Sequence, residues 1–237
     1  MFYASFWKEY ASRKNINPER TKDERQEYII NQYLLANYFN KAFTSACLID
    51  DTSLQNAGVD VMCSSELGED MKIDVKAQSS AKYINNPRPT FLLEVSTYNR
   101  YGTEECVGWF FDAQKITEYY TFVWIHEARV DAKGRILRPE DIQRVEVLIV
   151  DAKKLQDYID DVLWDYSMDD IDSIVSAMRS KELMRQDVCK GIHYSHSTQL
   201  IEKPVNLVVH KRILKKFAIP GPYGHCMVSQ QKITAIT

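Results

Sequence analysis

The chain is poor in the features that mark disulfide-stapled, zinc-ribbon and membrane proteins. Its five cysteines are widely spread and no two stand in a CxxC spacing, so neither a disulfide framework nor a zinc ribbon is indicated. Its longest apolar runs, at residues 91–95 and 145–150, are far too short to span a bilayer. The first residues, MFYASFWKEYASRK, lack the continuous apolar stretch of a signal peptide. We therefore expect a cytoplasmic protein with no membrane partner.

The chain also lacks an excess of charge of one sign. Lysine and arginine number 30 and aspartate and glutamate 33, which gives a net charge of −3. This balance argues against a strongly basic protein that coats nucleic acid, but it does not exclude local lysines that contact phosphate, since acidic residues elsewhere lower the total. A length of 237 residues fits one large domain, or one domain with an elaboration.

Helical spacing of apolar residues is clearest in the first fifth of the chain. It predicts a helix from Thr21 to about Phe43, with Thr21 as N-cap and Glu24 completing a capping box. Further helices are expected over residues 113–119, 152–160 and 168–184, the first two capped by Asp112 and Asp151.

Strand patterns separate these helices. They are expected over residues 46–49, 58–64, 72–79, 91–97, 121–126 and 145–150, with a turn at 66–70. The succession predicts an α/β or α+β fold with a central mixed β-sheet flanked by helices. We interpret residues 1–160 as the core and residues 161–237 as a helical or irregular elaboration packed on it, with 187–204 irregular.

The most informative stretch is QNAGVDVMCSSELGEDMKIDVKAQ, residues 55–78. Asp60 lies on the first of two neighbouring strands, and Asp74, Lys76 and Gln78 alternate along the second. Because side chains alternate faces along a strand, the latter three point the same way. The alternative is an exposed hairpin whose charged residues have no function beyond contact with solvent.

Two neighbouring carboxylates and a lysine suit the chemistry of phosphodiester hydrolysis. Mg²⁺ prefers hard oxygen ligands and is usually held by one or two carboxylates together with phosphate oxygens of the substrate. A lysine beside that ion could orient a water molecule or offset charge on the phosphate under attack. The spacing therefore favours a metal-dependent phosphodiesterase.

Asp60 followed by Asp74-Val75-Lys76 resembles the signature of the PD-(D/E)XK nuclease superfamily, which has the restriction-endonuclease-like fold. That signature is an acid, a variable gap, and then acid-x-lysine on an adjacent strand. The resemblance covers about residues 23–150 and leaves the C-terminal third unexplained.

Flanking residues add to this resemblance. Gln78 stands two residues past the lysine, as in many members, and the lead-in Gln55-x-x-Gly58-Val59 is similar to that of several phage and restriction-type nucleases. Val59 occupies the position where the family pattern has proline. A phage or mobile-element setting is what this likeness implies.

The resemblance implies a Mg²⁺-dependent endodeoxyribonuclease in which Mn²⁺ can substitute. Asp60 and Asp74 would hold the metal, with the carbonyl of Val75 as a third ligand. Lys76 would position the attacking water and counter the developing charge. Gln78 would hold a metal-bound water or a nucleotide group, although a polar residue near a strand end needs no such role.

Members of the family often supply another acid from the helix before the hairpin. Glu27 shares a helix face with Asn31 and Leu34, whereas Glu24 is accounted for by the capping box, so Glu27 is the expected auxiliary ligand. Glu94 interrupts an otherwise apolar strand and needs a partner, either in this site or as an ion pair.

The C-terminal third contributes two further sets of candidates. The first is basic and could contact phosphates, or form the solvated face of an amphipathic helix over 207–217: Lys211, Arg212, Lys215 and Lys216. The second could in principle bind zinc, but its spacings match no standard finger: Cys189, His193, His196, His225 and Cys226.

DNA is the expected partner, and cutting both strands of a duplex would favour a homodimer. Two readings compete with the nuclease: a non-catalytic nucleic-acid-binding module and a protein-interaction module on the same fold. The intact Asp60, Asp74 and Lys76 argue against the first, and failure to bind DNA at low salt would favour the second.

Overall fold

The structure, a computed structural model, describes residues 18–64, 69–99, 101–197, 200, 202–230 and 232–236. The first stretch of the chain and part of the turn expected at 66–70 lie outside these residues. The strands are β1 (Ser45–Leu48), β2 (Val61–Ser64), β3 (Asp70–Ala77), β4 (Thr90–Tyr98), β5 (Glu105–Val107), β6 (Tyr119–Ala128), β7 (Ile142–Asp151), β8 (Arg185–Cys189), β9 (Ile192–His196), β10 (Val205–His210), β11 (His225–Ser229) and β12 (Ile233–Ala235).

Five α-helices accompany these strands in the described part of the chain. They are α1 (Pro18–Leu34), α2 (Thr52–Asn56), α3 (Ala152–Val162), α4 (Met168–Arg179) and α5 (Lys211–Leu214). Helix α1 continues through a π-turn, Leu35–Phe39, into a last turn, Asn40–Ala42. Its predicted end is confirmed, but its predicted start is wrong: Pro18, whose fixed φ suits a first helical turn, begins the helix, so Thr21 lies inside it and is not the N-cap.

The strands form two sheets. The first has the order β1-β2-β3-β6-β7-β11-β12 and the second β5-β4-β10-β9-β8. Strands β3 and β6 pair in parallel, whereas the other described neighbours in both sheets are antiparallel. The expected mixed α/β fold, with a mixed sheet and flanking helices, is confirmed. No described helix is both long and apolar enough to cross a membrane.

The first sheet is the middle layer of the molecule. On one face, Ile73 and Val75 of β3 join a buried cluster with Ile30 and Leu34 of α1. The opposite face packs on the second sheet, where Phe91 of β4 contacts the ring of Phe122 of β6, with ring centroids 4.7 Å apart. Since side chains alternate along β3, Asp74 and Lys76 must point into the space between the two sheets.

The C-terminal third is more ordered than expected. The prediction that residues 187–204 are irregular is wrong, because β9 buries Ile192 and Tyr194 at alternate positions against the second sheet. Strand β10 pairs with β4 and β11 pairs with β7, so segments on both sides of residue 160 share sheets. The division of the chain at residue 160 stays a prediction.

A buried carboxylate between the sheets illustrates how this interior accepts charge. Glu146 of β7 is 6% exposed. It accepts hydrogen bonds from Lys211 at 2.6 Å, from His225 at 2.8 Å and from His126 at 3.0 Å. Burial raises the pKa of this carboxyl, but the hydrogen bonds and the charge of Lys211 outweigh burial and lower the pKa to about 2.

We expect Glu146 to make stability depend on acid pH. Its pKa in the folded state lies below the ordinary 4.5, so its contribution is complete above pH 4.5 and is lost as the pH falls toward 2. Urea unfolding at pH 6 and pH 3 should show a loss of about 2 kcal/mol that Glu146→Gln does not show. Glu118→Gln, at an exposed position immediately before β6, is the control. An equal pH dependence in Glu146→Gln and the wild type would contradict this assignment.

Candidate active site

Asp60 is fixed beside β3 by a backbone contact. Its Oδ2 accepts the N–H of Val75 at 2.8 Å, and its own N–H donates to the carbonyl of Ile73 at 2.9 Å. The regular pairing of β2 with β3 ends at Val61 and Ile73, so the Asp60 carboxylate takes the place of a strand partner at the next position. Asp60 and Asp74 therefore lie close together, as the sequence predicts.

Asp74 and Lys76 form an ion pair between the two sheets. The Lys76 Nζ lies 2.8 Å from Asp74 Oδ1, and the two side chains are 23% and 5% exposed. Burial raises the pKa of Asp74, the charge of Lys76 offsets part of this rise, and the nearby charge of Asp60 adds to it. The two acids are thus close enough to repel each other.

Lys76 provides the positive charge of this site. Burial disfavours its ammonium group, but attraction by Asp74, Asp60 and Glu27 outweighs burial and raises its pKa above the usual value. Glu27 is exposed on α1, and its charge acts on Lys76. Lys76 is consequently a cation at neutral pH and not a general base.

Gln78 has a structural use that the sequence did not reveal. Its side-chain nitrogen donates to the carbonyls of Arg88 and Thr90, at 3.1 and 2.5 Å, and its oxygen accepts the N–H of Arg88 at 2.9 Å. These bonds anchor the loop that leads from β3 to β4. A role of Gln78 toward water or a nucleotide stays a prediction.

Residues 55–59, which precede Asp60, are held in place by a loop that occupies a region where a helix was expected. The helix predicted over 113–119 is wrong: the Asp112 carboxylate accepts the N–H of Gln114 at 2.9 Å in a turn, and Tyr119 already begins β6. The Thr117 hydroxyl then donates to the carbonyl of Gly58 at 2.6 Å. Gly58 has φ +82° and lies against Thr117, so a glycine is required here.

Three residues reach the site that the motif did not predict. The ring of Trp109 lies 4.6 Å from Lys76 Nζ, and Tyr120 is the strand neighbour of Asp74 on β6. Glu94 of β4 approaches from the second sheet, where burial raises its pKa and the charge of Lys76 lowers it. Of these three residues, only Glu94 is indicated by the sequence, as an acid in an otherwise apolar strand.

The basic cluster of the C-terminal third lies on other elements. The alternative of an amphipathic helix over 207–217 applies only to its second part, because β10 runs to His210 and is followed by the single turn α5 and a 3-10 turn, Lys215–Phe217. Lys211 is engaged with Glu146 and lies over the Trp124 ring at 4.2 Å. Arg212 donates to the carbonyl of Lys190 at 3.1 Å, whereas Lys215 and Lys216 are exposed. Phosphate contact by this cluster stays a prediction.

Asp60 and Asp74 offer carboxylate oxygens, which are hard ligands of the kind that Mg²⁺ prefers. Within the described ranges, no group of three or more His, Cys, Asp or Glu side chains could hold a metal ion. Asp60 and Asp74 would therefore act as a pair, with Val75 O as the expected third ligand and with water or phosphate oxygens completing the shell, as Mg²⁺ commonly requires. The repulsion between the two carboxylates is a cost that a divalent cation would relieve.

Comparison of the chain with protein-family models, with curated proteins and with solved structures finds no match. The assignment of a function therefore depends on the geometry of this site.

We expect Gly58→Ala to damage the site through its lead-in. A Cβ at Gly58 would lie 2.5 Å from the Thr117 hydroxyl, in addition to the strain of a positive φ. Gly221→Ala is the matched control, since Gly221 has φ +95° but nothing within 4 Å of an added Cβ. The free energy of unfolding should fall by about 1 kcal/mol in the control and by about 2–4 kcal/mol in Gly58→Ala. Equal losses would show that the contact with Thr117 does not matter.

Proposed function

We propose that this chain is a Mg²⁺-dependent nuclease of the PD-(D/E)XK type, which hydrolyses phosphodiester bonds of DNA in the cytoplasm. The observation that carries the proposal is the convergence of Asp60, Asp74 and Lys76. Asp60 is separated from the other two by a turn, yet it is bonded to the backbone of Val75, between them, at 2.8 Å. Two acids and a lysine in this arrangement match the acid, gap and acid-x-lysine signature.

Each member of the group has a role that follows from its surroundings. The metal ion, when bound by Asp60 and Asp74, would supply charge stabilisation at the scissile phosphate and activate the attacking water. Lys76 is a cation already ordered beside Asp74, so it can oppose the negative charge that develops on the phosphate without reorganising. Glu27 is placed to act on Lys76 from α1 and is the proposed auxiliary acid.

The position of the site between two layers strengthens these electrostatic effects. Asp74 is 5% exposed, and the aromatic rings of Trp109 and Tyr120 lie nearby. Charges interact more strongly where water is excluded, so a fixed ammonium here is worth more than at the surface. This setting supports catalysis in preference to an exposed hairpin with incidental charges.

One observation favours the alternative of a non-catalytic nucleic-acid-binding or protein-interaction module. Lys76 already neutralises Asp74 at 2.8 Å, so the pair is satisfied without any metal. A module that had lost catalysis could retain such a pair for its structural value. Metal-dependent cleavage separates the two proposals directly.

We expect the protein to nick supercoiled plasmid or cut single-stranded DNA with Mg²⁺ or Mn²⁺, and EDTA to abolish the activity. Lys76→Ala and Asp60→Asn should each lower the rate by roughly 10²- to 10³-fold, the range for loss of one group that stabilises transition-state charge. Lys72→Ala is the matched control, because Lys72 is on the same strand but pairs with Glu118 at the surface. Its rate should equal that of the wild type.

The result that would overturn the nuclease proposal is an absence of cleavage on every substrate by a well-folded protein. DNA binding at low salt would then favour the binding module, since phosphate contacts strengthen as salt falls. If duplex DNA is cut on both strands, sedimentation should show the proposed homodimer on the substrate.

A further inference from the structure

The turn that follows β5 lies over the Asp74–Lys76 ion pair. This turn, residues 108–111, joins the short edge strand β5 to the loop before β6 and brings Trp109 to the ammonium of Lys76. The centroid of the indole is 4.6 Å from Nζ, within the distance at which an aromatic face attracts a cation. Lys76 therefore has an anion on one side and a ring on the other.

The turn is fixed to β4 by a set of contacts that leave it little freedom. The Gly108 N–H donates to the carbonyl of Val95 at 2.9 Å, and the Phe110 N–H donates to the carbonyl of Glu94 at 3.3 Å. A Cβ at Gly108 would lie 2.3 Å from that Glu94 carbonyl oxygen, so the close approach requires glycine. The second sheet thus determines where the Trp109 backbone lies.

Two further contacts position Trp109, one at its backbone and one at its ring. The Glu94 carboxylate accepts the backbone N–H of Trp109 at 3.4 Å. The Tyr120 ring meets the indole edge-on, with centroids 5.3 Å apart and planes at 65°. Tyr120 is itself the strand neighbour of Asp74, so the same β6 residue adjoins both Asp74 and the indole of Trp109.

We infer that Trp109 is a positioning residue, which holds the Lys76 ammonium at the distance from Asp74 that the site requires. A lysine side chain has several rotatable bonds and loses entropy when it is ordered. The indole face restricts those bonds and keeps water from one side of the ammonium, while Glu94 holds the turn that carries the indole. The second sheet thereby contributes to a site whose charged residues belong to the first.

Chemical reactivity of Lys76 tests this inference without reference to any activity. The protein is treated with N-hydroxysuccinimidyl acetate, and acetylation of Lys76 is followed by peptide mass spectrometry relative to the exposed Lys133 in the same molecule. Trp109→Leu should raise the Lys76 rate by roughly 3- to 30-fold, the range that one cation–π contact supplies. Trp109→Phe, which keeps a ring, should stay near the wild type.

Trp164→Leu is the matched control, because Trp164 is 85% exposed and the substitution is the same. It should leave Lys76 unchanged. An unchanged Lys76 rate in Trp109→Leu would overturn the inference. If Trp109→Leu does not fold, uniform incorporation of fluorinated tryptophan weakens the ring's attraction for cations at nearly constant shape. The Lys76 rate should then rise in the wild type and stay constant in a fluorinated Trp109→Phe protein; no rise would equally overturn the inference.

A kinetic measurement extends the test and rests on the proposed nuclease function. In Trp109→Leu, kcat should fall by roughly 3- to 30-fold with KM unchanged, and Trp109→Phe should restore most of the loss. A rise in KM at constant kcat would instead make Trp109 a substrate contact and overturn the positioning role. If the folded wild type cleaves no DNA substrate, the nuclease proposal fails, and the reactivity of Lys76 still decides the role of Trp109.

Discussion

The alternation of side chains along β3 is the constraint on which the rest of the structure depends. Ile73 and Val75 must face α1 to complete the core on that side of the first sheet. The same period of two then directs Asp74 and Lys76 into the space between the sheets. A shift of register by one residue would bury both charges in the apolar cluster, so packing of the core and placement of the site are one requirement.

A charge that is buried in the space between the two sheets needs partners within hydrogen-bond distance. Asp74 has Lys76 at 2.8 Å, and Glu146 has three donors within 3.0 Å. The pKa values of the two acids shift in opposite directions: that of Glu146 falls to about 2, whereas that of Asp74 is raised. The donors around Glu146 outweigh its burial, whereas burial and the charge of Asp60 together outweigh the effect of Lys76 on Asp74. Perturbation of the second kind is typical of sites that bind or react.

The second sheet covers the space in which Asp74 and Lys76 lie. Strand β4 brings Glu94, and the turn after β5 brings Trp109, to the same ammonium. The other strands of the second sheet, β8, β9 and β10, come from the last third of the chain. They join β4 through its pairing with β10. The proposed site is therefore built from the first half of the sequence and covered by a layer that the whole chain completes.

The sequence by itself determined the parts that depend on local pattern. The end of α1, the strands around Asp60 and Asp74, and the Asp151 cap on α3 all follow from spacing within a few residues. Contacts between distant residues decided the rest. Residues 113–118 form a loop in which Thr117 bonds to Gly58. Strand β9 forms because a neighbouring sheet buries its alternate residues, and Trp109 meets Lys76 only through the pairing of β4 with β5. Such contacts carry no local signal, since the free energy that favours them arises only when the two segments meet in the folded chain.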